Sequence, residues 1–146
     1  MDAFRHFSII MDIRRPSVYQ SMTKWYMGFR PKNRIIKEGD IVSLDAGVIY
    51  KGYHSDAART HAVGEISKEA ADLIKVTRES FFEGIKFARE GMHLFEISAA
   101  IGRYAEERGY GVVRELCGHG IGTHLHESPE IPNFAQEEED RNCALE

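Results

Sequence analysis

The chain has 146 residues, 42% hydrophobic and 29% charged, with a formal net charge of −4. Its length suits one domain with a real core, and its mild acidity offers no basic face of the kind a nucleic-acid partner wants. No apolar run approaches the roughly 18 residues of a membrane span, so no membrane role is expected.

Residues 1 to 30 show no clean period and mix Trp25, Tyr26 and Met27 with scattered arginines. The start, MDAFRHFSIIMDIRRPS, scatters acid and base through a short apolar stretch and lacks the order of a signal peptide. From residue 35 the pattern changes. IIKEGDIVSLDAGVIY, a turn at Lys51-Gly52 and an outgoing run toward AARTHAV predict β-structure over 35–63. Ser67 is placed to cap a helix running to about Arg89, with Ile66, Ala70, Leu73, Ile74, Phe81, Ile85 and Ala88 on one face and Gly91 closing it. A second helix, Leu94 to Arg108, repeats the spacing with Ile97, Ile101, Tyr104 and Ala105, and Gly109 ends it. Residues 110–134 return to extended or loop structure. The last twelve, AQEEEDRNCALE, form an acidic run that reads as a solvated tail. There is no internal repeat. Strands, then two helices, then strands predict an α+β fold. Two cysteines, Cys117 and Cys143, make no disulfide framework, and a reducing cytoplasm is expected.

Two acids, Asp45 and Asp56, stand inside SLDAGVIYKGYHSDAART. Val42, Leu44, Val48 and Ile49 make the strand look buried on both sides, and an unpaired buried carboxylate is costly. With a two-residue hairpin loop, paired positions sum to an odd number such as 101 or 103. Asp45 and Asp56 then share a face, directly opposite or nearly so, where like charges repel. A solvated face with an arginine neighbour such as Arg59 is one offset, and a divalent metal is the better one, because hard cations accept carboxylate oxygens and one carboxylate can bridge two ions.

CGHGIGTHLHESPEIPNF, residues 117 to 134, supplies imidazoles. His119 lies between glycines, where the backbone can approach closely. His124 and His126 are two apart, and on an extended segment they share a face. Histidine is the commonest metal ligand and an acid–base group near neutral pH. The spacing fits neither the HExxH helix nor a zinc finger. His54 and His61 are expected to be structural or close to substrate. Cys117 is expected to be a buried small residue with no base to activate it.

EGDIVSLDAGVIYKGYHSDAART, the helical pair and CGHGIGTHLHESPEIPNF together resemble the type I methionine aminopeptidases over about residues 32–134. DAG, the spacing of the two acids, GHGIG and HExPxIPN follow the family's order. The resemblance implies an incomplete pita-bread fold, an antiparallel sheet with two long helices. It implies hydrolytic removal of the initiator methionine from nascent proteins by a hydroxide bridging two divalent metal ions, with Co, Mn, Fe or Zn all suited to carboxylate–imidazole sites. Asp45, Asp56 and His119 would be metal ligands. His126 would be catalytic, touching substrate and stabilising developing charge. His124 matches no family ligand. The implied partner is the N-terminal Met of a nascent polypeptide near the ribosome, and the implied state is a cytoplasmic monomer.

The resemblance has limits. The family's two further glutamate ligands belong to a C-terminal half lying past residue 146, and Glu137, Glu138, Glu139 and Glu146 sit in neither glutamate motif. Its substrate-contacting histidine, in a VHGIP-type segment, has WYMGFRPKNR in its place. MDIRRPSVYQSMTKWYMGFR can be back-translated so that, one frame over, it spells YGYPASICISINDEVVHGIP. AQEEEDRNCALE, with one base restored, reads GARRRGPKLRLG, like the family's basic continuation. Residues 1–31 and 135–146 are therefore expected to be out-of-frame translation flanking a partial catalytic domain, 32–134. Such a chain is expected to fold poorly and to have little peptidase activity. An Xaa-Pro peptidase of the same fold and a catalytically dead binding module are the alternatives.

Overall fold

A computed structural model describes residues 35–135. The segments expected to be out of frame, 1–31 and 135–146, lie outside the described residues apart from Ala135. Six elements follow one another: β1 (Ile41–Tyr50), β2 (Tyr53–Ala62), α1 (Lys68–Ile85), α2 (Leu94–Glu106), β3 (Cys117–Gly120) and β4 (Glu127–Pro132). The α+β order holds. The strands form two separate antiparallel pairs, β1–β2 and β3–β4.

Lys51 and Gly52 both adopt positive φ, 51° and 83°. That is the backbone of the tight two-residue turn whose twist matches the flanking strands. It fixes the register: Asp45 faces Ala58, and Asp56 faces Gly47. The two acids are thus diagonal neighbours on one face. Ser43 and Thr60, on the same face, share a hydroxyl hydrogen bond of 2.8 Å.

The expectation of burial on both sides of this hairpin fails. Leu44, Val48, Tyr50 and Tyr53 share the opposite face and stay 58%, 63%, 69% and 59% exposed. Ile49, on the acid-bearing face, is exposed as well. The apolar run does form strand, but no described element packs closely over that face.

The helices bury what the hairpin does not. Ser67 caps α1, its Oγ accepting from the Ala70 N–H at 3.2 Å. The buried stripe of α1 is Ala70, Leu73, Val76, Ser80 and Gly84. Phe82 and Ile85 point outward. Small residues explain the difference from the predicted stripe: a Cβ on Gly84 would lie 2.5 Å from Ile101 Cγ1, so the helices cross where α1 has no side chain. Ser80 enters the interface fully buried because its hydroxyl donates to the Thr77 carbonyl of its own helix. α1 ends at Ile85, earlier than predicted. Phe87 and Ala88 then donate to carbonyls three residues back, tightening the last turn. Gly109 carries the positive φ that closes α2, whereas α1 is capped at Lys86 and Gly91, expected to close it, takes its positive φ in the turn beyond.

Leu94, Ile97 and Ile101 of α2 form the core with Ile131 of β4, and Phe87 packs against it. Tyr104 donates to Glu79 Oε2 at 2.8 Å, linking the helices. This core anchors β4, and through it the histidine-bearing loop. No helix among the described residues is long and apolar enough to cross a membrane.

Candidate active site

The alternation of β2 turns Asp56 and His54 to one face and His61 to the other. On that face Asp56 meets β3. His119 Nε2 stands 3.7 Å from Asp56 Oδ2, and both side chains are only 17% exposed. The His119 Nδ1 is 2.9 Å from the Gly120 carbonyl, a contact that orients the ring. A second tie lies nearby: the His54 N–H donates to the Gly122 carbonyl at 2.7 Å. The hairpin and the glycine-rich segment therefore meet at two points.

Asp45 joins from the other strand. Partial desolvation first, then a hydrogen bond with Asp56 and the Asp56 charge, raise its carboxyl above the usual value. The two acids share a strand face, where like charges repel. A divalent cation offsets that repulsion, and the imidazole beside Asp56 is a further donor. Carboxylate and imidazole donors therefore suit an ion of this type. Asp56 neighbours each of the other two, and the three do not close on one point. Among the described residues no three His, Cys, Asp or Glu side chains converge as a ready metal cluster.

His126 lies with its ring centroid 4.2 Å from that of His119, at 56°. It is exposed, as a group awaiting a ligand would be. The expectation that His124 shares its face fails, because residues 122–126 run through bends. His124 turns instead to Thr123 and Glu127, with Nδ1 3.5 Å from Glu127 Oε1. His61 is exposed on the side away from the acids. Cys117 is half-buried, and burial together with Glu130 pushes its thiol up, which disfavours the nucleophilic thiolate.

Glu127 is the residue that sequence reading passes over. The His124 N–H donates to its Oε1 at 2.8 Å, and the Thr123 hydroxyl donates to the same oxygen at 3.1 Å. The backbone hydrogen bond is the main cause that holds its carboxyl below the ordinary value. The signals in the sequence are its place after His126 in HExPxIPN and a threonine four residues ahead of it across a glycine-led loop.

The whole pattern of strand acids, glycine-flanked histidine and trailing His-Glu has relatives. The model for metallopeptidase family M24 matches residues 15–145. The chain belongs to that family. A methionine aminopeptidase of Clostridium acetobutylicum is 56% identical over 109 residues, which are 75% of this chain and 44% of that one. The structure of a methionine aminopeptidase from Thermotoga maritima has a TM-score of 0.69 and 43% identity, covering 72% of this chain and 42% of the other. A prolidase from Thermococcus sibiricus follows at 0.64 and 33%, covering 72% and 29%. The M24 chain described here spans less than half the length of these relatives. Its two helices and antiparallel strand pairs agree with the pita-bread-like fold of those neighbours.

Proposed function

We propose that this chain carries the acid hairpin and histidine loop of a methionine aminopeptidase, a metal-dependent exopeptidase that removes the initiator Met. The observation that carries this reading is Asp56 beside His119, with Asp45 diagonal to it on the same strand face and the His126 ring tilted against that of His119. Asp45, Asp56 and His119 would hold the metal. When bound, a divalent ion supplies polarisation of the scissile carbonyl and activation of water. His126, exposed and free to approach substrate, donates a hydrogen bond to the carbonyl oxygen as negative charge develops there. The His119 ring behind it limits where that imidazole can swing. The substrate is the N-terminal methionine of a new polypeptide, met in the cytoplasm near the ribosome by a monomer.

Three protein donors complete a site for one ion with water, whereas a pair of ions needs more. We expect at most one tightly held Co, Mn, Fe or Zn ion per chain and little peptidase activity. Likeness to a prolidase keeps an Xaa-Pro substrate as the competing reading. Hydrolysis of a Met-Ala peptide, set against an Xaa-Pro peptide, separates the two. Preference for Xaa-Pro would sink the methionine reading, and two tightly bound ions per chain would sink the three-donor site.

We propose further that residues 1–31 and 135–146 are read out of frame, with 32–134 as the catalytic portion. The family match runs into both flanks, so the decision rests with the DNA. Genomic sequence across both junctions that gives one intact frame would end this idea.

A further inference from the structure

We infer that Glu127 is a positioning residue that sets the His126 ring against His119 by stapling the loop between β3 and β4. This rests on the reading of His126 as the substrate-facing group. His126 is exposed and lies in a run of bends, so packing does not fix its ring. What fixes the loop is polar. One oxygen of Glu127, Oε1, accepts from both the His124 N–H and the Thr123 hydroxyl, at 2.8 and 3.1 Å. The other, Oε2, lies so close to Gly122 that a Cβ there would come within 2.7 Å of it. The Gly122 N–H in turn donates to the His124 carbonyl at 3.2 Å, and its carbonyl accepts from His54 of β2. These contacts form a closed circuit. It runs from the Asp56 strand at His54 to Gly122, across to Glu127, along one bond of chain to His126, over to His119, and back to Asp56. Glu127 is the link in it that ties Gly122, Thr123 and His124 to the start of β4 through a side chain.

Both staple bonds end on a single oxygen, and this separates reach from charge. Glu127→Gln keeps a carbonyl oxygen at the same length and loses the charge. Glu127→Asp keeps the charge and loses the reach. In the metal-free full chain, NMR measures the cross-ring NOE between His119 and His126 and the exchange rate of the His124 amide. We expect E127Q to keep the NOE and to exchange that amide only modestly faster than the parent, since its neutral oxygen still accepts at the same reach. We expect E127D to lose the NOE and to exchange that amide about tenfold faster or more, as befits loss of a hydrogen bond to a charged acceptor. Unshifted Ile97 and Ile101 methyl resonances report an intact helical core. An unchanged NOE in E127D overturns the inference, as does E127Q failing alongside E127D. Neither measurement involves substrate, so a preference for Xaa-Pro over Met-Ala peptides counts against the methionine reading alone.

Discussion

The helical pair and the β1–β2 hairpin solve the same problem in opposite ways. α1 and α2 bury Leu73, Val76, Leu94, Ile97 and Ile101 against each other and β4, and close the gap with Gly84 and Ser80. The hairpin leaves Leu44, Val48, Tyr50 and Tyr53 in water and relies on its ladder, its turn and two polar ties to the histidine segment. The candidate ligands Asp45 and Asp56 thus ride on the part of the fold with the least packing. Stability and chemistry are carried by different elements, so a variant can damage one and spare the other.

The largest break in that division should come from Ile101→Ala. It removes core contacts at the helix crossing and is expected to cost about 2–5 kcal/mol, read by urea unfolding followed by circular dichroism. A loss below about 1 kcal/mol would mean that the helices do not hold the core. Asp56→Asn should do the reverse, weakening Co or Mn binding by about tenfold or more in calorimetry while the unfolding midpoint barely moves. Equal affinity in parent and variant would remove Asp56 from the site. Ser67→Ala deletes the α1 cap and should cost about 1 kcal/mol, again by urea unfolding.

Val48→Thr sharpens the comparison from the hairpin side. At an exposed position it should change stability by no more than about 0.5 kcal/mol, and a loss several times larger would show that this face is covered in solution. The smallest effect concerns Glu127, whose carboxyl is held below its ordinary value of 4.5. A depressed folded pKa contributes stability that is complete above the unfolded value and disappears as pH falls through the folded one. Protection of the His124 amide should therefore persist on acidification to 4.5 and weaken modestly below it, because the protonated acid keeps its reach.

Much of this fold is legible in the sequence. Ser67 and Gly109 punctuate the helices because capping and positive φ are local demands, met by neighbouring residues alone. Lys51-Gly52 sets the hairpin for the same reason. The common face of Asp45 and Asp56 follows from period two and an even loop, although the pair is diagonal where direct opposition was one of the two registers open. The rest depends on tertiary contact. Ser80 and Gly84 lie on the buried face because α2 comes close, and a hydrophobicity pattern scores them as gaps. Val48 looks like core because β-branched residues favour strand in water and in protein interiors alike. Glu127 gains its role from a bend that brings Thr123 and His124 back onto it, and no residue period encodes that.

The hydrogen bond from His54 to the Gly122 carbonyl has a mechanical consequence. It welds a strand from the first half of the chain to a loop in its last quarter, so a tug on either is felt by the other. Proton exchange at the single amide of His54 should then serve as a strain gauge for the distant histidine loop, responding whenever a guest enters or leaves there.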